Sequence, residues 1–134
     1  EELAAGTVQP LIGDATADAA KVTKVVFCSG KLYYELDEER STRGAVDTAI
    51  VRLEQLYPLP AAQMQAELAK YPSAAKLVWA QEEPANMGAW TYLLANCDLK
   101  LQRVSPPASA APATGSHKAA HHIQHRLIAQ TFDC

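Results

Sequence analysis

Short apolar runs rich in β-branched residues alternate with segments of helical periodicity, and this alternation limits the fold more than any other feature. The apolar runs lie at 22–28, 49–53, 77–80 and 99–104. The run 22–28 is apolar and rich in β-branched residues, which is typical of a buried strand. Strand–helix repeats with short connections predict an α/β fold, a three-layer α/β/α sandwich with a mainly parallel sheet.

The same pattern predicts four helices. The first follows residues 29–31. The second begins after Pro60 and ends at Pro72. The third covers 87–96, and the fourth covers 116–132. Apolar residues spaced three or four apart indicate the buried face of each helix. In the last helix this predicted buried stripe consists of Ala120, Ile123, Leu127 and Thr131.

Length and composition indicate a single globular domain. The chain has 134 residues, enough for one core. Residues 1–20 are rich in alanine and show little periodicity, so we expect a linker at 1–20 leading into a domain at 21–134. Because the chain begins with Glu1 rather than Met, we also expect it to be part of a longer protein.

Charge and cysteine usage exclude several classes of partner. A net charge of −3 argues against nucleic acid, which requires clustered Lys and Arg. No apolar run approaches the roughly 20 residues of a membrane span. Three separated cysteines favour a reducing compartment, the cytoplasm or the mitochondrial matrix, over a disulfide framework. Cys28, inside an apolar run, is expected to be a buried thiol.

The loops that follow the predicted strands carry the least ordinary residues of the chain. These loops are 29–31, 54–60, 81–88 and 106–115. In a parallel sheet they emerge at one edge, where ligands and partners of α/β proteins bind. The segment 81–90 is the richest of them in polar and aromatic groups, and we expect an interface there. Its predicted interface residues are Glu82, Glu83, Asn86, Met87, Gly88 and Trp90.

The sequence does not assemble a catalytic or cofactor site. It contains no G-x-S-x-G, H-E-x-x-H or G-x-G-x-x-G motif. Gly30-Lys31 resembles the end of a phosphate loop, but Val25 and Leu32 stand where that motif needs other residues. Glu82 and Glu83 are candidate acid/base groups. Because adjacent residues of an extended chain point in opposite directions, an interface role or a helix N-terminal charge fits them equally well.

Three histidines in the last predicted helix leave a metal site as an alternative. His117, His121 and His125 are spaced at i, i+4 and i+8. Two histidines one turn apart can share Zn²⁺. No carboxylate or cysteine stands beside them, so half-exposed packing residues are the favoured interpretation.

Four segments carry a resemblance to a known family. Residues 25–34, 49–60, 81–90 and 107–118 occur in the order and spacing of the C-terminal domain of 2-oxoglutarate dehydrogenase. The chain is similar to that domain over roughly residues 8–132. The resemblance implies a transketolase-type C-terminal domain. It also implies a parent enzyme whose two preceding domains hold thiamin diphosphate and Mg²⁺ across a homodimer interface.

The resemblance also implies what the parent protein does. It would decarboxylate 2-oxoglutarate in the citric acid cycle and transfer the succinyl group to lipoyl groups. Its partners would be dihydrolipoyl succinyltransferase and dihydrolipoyl dehydrogenase. This C-terminal domain would dock against the rest of the enzyme and be inactive alone. Relatives that act on 2-oxoadipate remain an open alternative.

A sensor for an acyl-CoA or an adenine nucleotide is the second hypothesis, because some relatives bind such effectors. Lys31 and Gln55 are its candidate contacts. Family members often have arginine where this chain has Ser105-Pro106, and some have it where Ala61 and Ala62 stand. Their absence weakens binding of a phosphate here, since arginine makes two-pronged phosphate contacts.

Overall fold

The α/β/α class is as the sequence predicts: in the residues that the structure describes, a five-stranded sheet, one strand more than predicted, has helices on both faces. The computed structural model describes residues 9–108 and 117–134. The strands are β1 (Leu11–Ile12), β2 (Lys24–Cys28), β3 (Thr48–Leu53), β4 (Lys76–Ala80) and β5 (Gln102–Val104). The helices are α1 (Leu32–Arg43), α2 (Ala61–Leu68), α3 (Trp90–Asn96) and α4 (His117–Asp133).

The sheet order is β1-β3-β2-β4-β5, and all neighbouring pairs are parallel except β1 with β3. In this order β2 occupies the centre of the sheet. The chain moves from β2 to β3 on one side and then returns across β2 to β4 on the other. The carboxyl ends of β2 and β4 therefore flank the switch point, where connections leave in opposite directions.

Alternate residues of the central strands enter two different cores, which establishes the three layers. Val25 and Phe27 of β2 pack with Met64 of α2 and Leu93 of α3. The other face of the sheet has its own core with α1 and α4. Its members include Val26, Cys28, Ile50, Val78, Leu32, Leu36 and Leu127. Every residue of β2 is buried, as a central strand covered on both faces requires.

Helix α4 contacts the sheet mainly through its C-terminal half. Leu127 and Thr131 are buried as predicted, and Ile123 is half-buried, but Ala120 is exposed. The prediction for Ala120 was wrong because the first turns of α4 do not reach the core. The buried ammonium of Lys24 anchors the other end of α4. It donates to the carbonyl oxygens of Thr131 at 3.1 Å and Phe132 at 3.0 Å.

Element boundaries differ from the predicted ones by up to three residues. α3 begins at Trp90 rather than Met87, because the preceding residues form turns. α2 ends at Leu68, yet Tyr71 beyond it is buried in the α2–α3 core. β5 begins at Gln102 rather than Leu99. In each case the apolar pattern identifies burial correctly, although burial and regular hydrogen bonding end at different residues.

The described part of the predicted linker 1–20 packs onto the sheet. β1 pairs Leu11 with Leu53 and Ile12 with Arg52. Just beyond it, the side chain of Asp14 is 2% exposed and accepts a hydrogen bond from the backbone N–H of Ile50 at 2.8 Å. This carboxylate continues the edge pairing of β3 with a side chain in place of a backbone carbonyl.

Asp14 also forms an ion pair with Arg40 of α1, whose side chain is 11% exposed. Arg40 further donates to Asp37 at 2.7 Å and to the carbonyl oxygen of Thr48 at 3.2 Å. Burial opposes ionisation of Asp14. The hydrogen bonds from Ile50, Arg40 and Thr16 outweigh it and hold the pKa of this carboxyl below its ordinary value. The network joins residues before β2 to α1 and β3.

We predict that Asp14→Ala lowers the free energy of unfolding at pH 7 by about 3 kcal/mol, since it leaves a buried guanidinium without this partner. The pKa of Asp14 is lower in the folded state than its unfolded value of about 3.9. The stabilisation is therefore present above pH about 4 and is lost as the pH falls through the folded pKa. Urea unfolding followed from pH 7 downward measures both effects.

The matched control is Asp18→Ala, because Asp18 is exposed and lies 4.0 Å from Lys21. It should change stability by less than about 0.5 kcal/mol. Equal losses for both variants, or a loss for Asp14→Ala that is unchanged in acid, would contradict this account of Asp14.

Candidate functional site

The loops after the parallel strands contact one another at the carboxyl edge of the sheet. The backbone N–H of Gly30, after β2, donates to the Oε2 atom of Glu54, after β3, at 3.2 Å. After β4, the N–H of Gln81 donates to the carbonyl oxygen of Val104, and that of Ala85 to Pro106, each at 3.0 Å. The predicted convergence is confirmed for these loops. The last predicted loop extends past Ala108, outside the described residues.

The side-chain amide of Gln81 organises the segment 81–90. Gln81 is only 3% exposed at the end of β4. The two N–H groups of its Nε2 atom are shared among the carbonyl oxygens of Glu83 at 3.0 Å, Pro84 at 2.9 Å and Met87 at 2.9 Å, so one N–H bridges two of them. The amide therefore holds one turn of loop backbone around itself.

The oxygen of the same amide joins two tryptophans to this loop. Its Oε1 atom accepts the indole N–H of Trp79 at 2.8 Å and the backbone N–H of Trp90 at 3.0 Å. Trp79 lies in the core, and Trp90 is the first residue of α3. Because Gln81 satisfies donors and acceptors on both sides, it fixes where α3 begins relative to β4.

Gln81 was absent from the predicted interface residues, although its position in the sequence carries a signal. It stands at the end of an apolar strand, two residues after Trp79, and precedes a loop that contains proline and glycine. Such a loop turns backbone carbonyls inward, and a buried amide satisfies them. This pattern indicates that Gln81 is buried, but the hydrogen-bond partners of its amide depend on the fold of the loop.

The predicted interface residues lie in this loop with different exposures. Glu83, Asn86 and Gly88 are exposed, whereas Glu82, Met87 and Trp90 are half-buried. Trp90 packs against the α2–α3 core by part of its surface. Gly88 has a φ of +66°, and a Cβ atom there would lie 3.0 Å from the carboxylate of Glu83. Glycine at this position lets the loop close beneath Glu83.

A cleft of about 240 Å³ opens at the switch point between β2 and β4. Lys31 and Glu82 face each other across its two sides. Burial raises the pKa of Glu82, the charge of Lys31 partly opposes this rise, and Glu35 and Glu83 add to it. The lining residues are Ser29, Gly30, Lys31, Leu32, Ala80, Gln81, Glu82 and Glu83.

Gln55, the second predicted effector contact, does not line this cleft. Its Nε2 atom donates to the carbonyl oxygen of Pro58 at 2.9 Å, within its own loop. The structure therefore brings Lys31 together with two carboxylates and not with Gln55. An anion in this cleft would meet the negative charges of Glu82 and Glu83, which disfavour its binding.

Arg52 lies beneath the neighbouring part of the edge. Its guanidinium is 5.0 Å from the ring centre of Tyr33 and 5.3 Å from that of Tyr34, and it pairs with Glu54 at 2.9 Å. Burial raises the pKa of nearby Cys28 to about 12, with Glu54 adding to the rise and Arg52 opposing it. This thiol stays protonated near neutral pH and is not a nucleophile.

The predicted histidine site lies on the outer side of α4. The rings of His121 and His125 stack with their centres 6.4 Å apart, and both residues are exposed. The side chain of His117 lies outside the described residues. Within the described ranges, no three His, Cys, Asp or Glu side chains are placed to hold a metal ion. In that part of the chain, no helix could span a membrane either.

Solved structures identify the class of fold. The chain matches a split-gene transketolase, described as an inactive β4 tetramer, with a TM-score of 0.63 and 12% identity, over 95% of this chain and 43% of that one. It also matches a 2-oxoglutarate:ferredoxin oxidoreductase from Magnetococcus marinus with a TM-score of 0.57 and 13% identity, over 96% and 21% of the two chains. The fold is therefore of the transketolase-like α/β type.

Sequence comparison gives the family within that class. The family model described as 2-oxoglutarate dehydrogenase C-terminal matches residues 1–132. The chain therefore belongs to the 2-oxoglutarate dehydrogenase C-terminal family, as its resemblance predicted. The match begins within the predicted linker, in agreement with the packing of β1 and Asp14 onto the sheet.

Named relatives include enzymes of two substrate types. The 2-oxoglutarate dehydrogenase E1 component of Cupriavidus necator is 44% identical over 98% of this chain and 14% of that protein. The 2-oxoadipate dehydrogenase complex component E1 of Xenopus laevis is 44% identical over 86% of this chain and 13% of that protein. The 2-oxoglutarate dehydrogenase E1 component of Brucella anthropi is 50% identical over 72% of this chain and 10% of that protein. The chain thus spans about one seventh of such proteins at most.

We predict that Gln81→Glu destabilises the protein by about 3 kcal/mol at pH 7 and loosens the segment 81–90. The new carboxylate would put an acceptor against the three carbonyl oxygens that Nε2 now serves, which leaves buried acceptors unpaired. Near-UV circular dichroism should lose tryptophan signal, because Trp79 and Trp90 both bond to this side chain.

Gln63→Glu makes the same chemical change on an exposed position of α2 and is the control. It should leave both the urea midpoint and the tryptophan signal close to those of the unchanged protein. A Gln81→Glu variant as stable as Gln63→Glu would show that the amide does not organise the loop.

Proposed function

We propose that this chain is a docking and assembly domain of a thiamin-dependent 2-oxo acid dehydrogenase, with no turnover of its own. The observation that carries the proposal is the loop held by Gln81. A buried amide bonded to five groups, with one N–H shared between two acceptors, fixes a segment whose outer residues serve no catalytic arrangement in the described part of the chain. A rigid, partly apolar surface of this kind is suited to binding another protein surface.

Exposed apolar groups extend this surface beyond the segment 81–90. Tyr57, in the loop after β3, is 84% exposed and makes an edge-to-face contact with Tyr92 of α3, with ring centres 6.3 Å apart. Leu94 on the same helix is 67% exposed. Together with half-buried Met87 and Trp90, these side chains provide aromatic and aliphatic anchors of the kind found at interface centres.

The names of the relatives support a parent activity, which is part of the proposal. The parent enzyme would decarboxylate 2-oxoglutarate, or 2-oxoadipate in the alternative case, and transfer the acyl group to lipoyl groups. It would act as a homodimer in a multienzyme complex of the citric acid cycle, with dihydrolipoyl succinyltransferase and dihydrolipoyl dehydrogenase. Its compartment would be the cytoplasm of a bacterium or the mitochondrial matrix.

The described residues do not fit a thiamin diphosphate–Mg²⁺ site. No group of three or more metal-ligating side chains lies among them. The cleft at the switch point presents Glu82 and Glu83, which repel a diphosphate. In this proposal the cofactors bind to other domains of the longer protein, and the domain described by this chain positions those domains.

An effector-sensing function is the second candidate, and the cleft between β2 and β4 is the observation that favours it. This is the position where α/β sheets bind ligands, and Lys31 lies beside it. The two carboxylates oppose binding of acetyl-CoA or AMP there, and the residues that line the cleft include no arginine. Calorimetry with each compound on the longer protein, compared with its Lys31→Gln variant, tests this candidate.

We predict that Trp90→Ala in the longer protein weakens assembly by about 2 kcal/mol, roughly 30-fold in the association constant, as expected for an aromatic anchor. Analytical ultracentrifugation measures the assembly, and a decarboxylation assay measures the consequence. The chain of 134 residues alone, supplied with thiamin diphosphate and Mg²⁺, should show no turnover.

Val46→Ala is the matched control, because Val46 is 63% exposed but precedes β3, at the opposite edge of the sheet. It should assemble normally. Turnover by the chain alone would refute the docking proposal, as would normal assembly of Trp90→Ala with the same stability as the unchanged protein.

A further inference from the structure

The region 99–132 is free of carboxylates although the protein as a whole is acidic. It contains none of the 15 Asp and Glu residues, but it contains four of the 12 Lys and Arg residues and all four histidines. The four cations are Lys100, Arg103, Lys118 and Arg126. Positive charge is therefore concentrated where the chain forms β5 and α4.

A groove of about 280 Å³ runs between these two elements. Arg103 of β5 lines one wall and Arg126 of α4 lines the other, so two guanidinium-bearing residues border the same space. Apolar residues from both elements complete the lining and give the groove a mixed character. The lining residues are Arg103, Ser105, Pro106, Pro107, Ile123, Arg126, Leu127 and Gln130.

The two arginines of the groove differ from the other arginines of the chain. Arg40, Arg43 and Arg52 each pair with carboxylates at 2.9 Å or less. Among residues 9–108 and 117–134, no carboxylate pairs with Arg103 or Arg126 within 4.0 Å. Two exposed guanidiniums that share a groove and lack an anionic partner are suited to bind carboxylates from outside.

The distribution of charge indicates the length of the partner. Lys118, His122 and Arg126 are exposed on α4 at i, i+4 and i+8, so they form a line about 12 Å long. An extended peptide covers that length with about four residues. The groove also lies beside β5, the last strand of the sheet, which among residues 9–108 and 117–134 pairs only with β4. A line of charge beside an unpaired strand edge fits an extended chain better than a compact anion.

We propose that the groove between β5 and α4 binds an extended acidic segment of a partner protein. Carboxylates of the segment pair with Arg103, Arg126 and Lys118, and its apolar side chains contact Ile123. This surface is separate from the segment 81–90, and its partner does not depend on the docking function proposed above.

The test uses a fluorescein-labelled hexapeptide in which Glu and Val alternate, and fluorescence anisotropy with the whole chain. We expect saturable binding that weakens as salt increases, because the contacts are between exposed charges. A peptide with Gln in place of Glu should not bind. Arg103→Gln combined with Arg126→Gln should weaken binding of the acidic peptide about tenfold, since two exposed ion pairs are lost.

The control removes the same charge elsewhere, with Lys21→Gln combined with Lys76→Gln, and should keep the dissociation constant within about twofold. Urea midpoints of both double variants verify that they fold. No saturable binding, equal binding of the Gln peptide, or an unchanged affinity after loss of both arginines would overturn the proposal. Displacement of the peptide by AMP at concentrations below the peptide's dissociation constant would also overturn it, in favour of a phosphate site.

Discussion

The candidate site depends on one buried amide, that of Gln81, because it connects the end of β4, the loop and the start of α3. Its two N–H groups are shared among three loop carbonyl oxygens, and its oxygen accepts from two tryptophan N–H groups. The indole N–H of Trp79 and the carbonyl oxygen of Pro84 are buried and would otherwise be unsatisfied, so the amide and the loop stabilise each other. This network therefore fixes the position of the exposed residues that follow Gln81.

A second buried polar network fixes the opposite edge of the sheet. Asp14 bonds to the edge of β3 and to Arg40 of α1, and thereby joins the chain before β2 to the domain. The two networks have different roles. The one at Asp14 lies away from the proposed docking surface and maintains the fold, whereas the one at Gln81 shapes that surface.

Much of the architecture is predictable from the sequence, since short β-branched runs and their helical connections already define an α/β sandwich. The edge at which Glu82, Met87 and Trp90 lie follows from the parallel sheet alone. Other features depend on contacts distant in sequence. The pairing of β1 with β3 has only two residues, and the burial of Asp14 requires Arg40, so local pattern does not reveal either. The wrong assignment of Ala120 has the same origin, because periodicity does not show where a helix extends past the sheet.

The prediction of functional residues is limited in a comparable way. Polar residues crowded into one loop indicate an edge of interest, but they do not show which residue organises it. Gln81 satisfies backbone groups whose direction is set by the folded loop. Lys31 and Gln55 belong to neighbouring loops in the sequence pattern, yet Gln55 is engaged within its own loop and does not line the cleft with Lys31.

Hydroxyl-radical footprinting of the chain alone and of the longer protein tests the central claim most directly, since methionine and tryptophan side chains oxidise readily when exposed. If the loop held by Gln81 docks against other domains, oxidation of Met87 and Trp90 falls in the longer protein toward the slow rate of buried Met64. Equal oxidation of Met87 and Trp90 in both proteins would contradict the account.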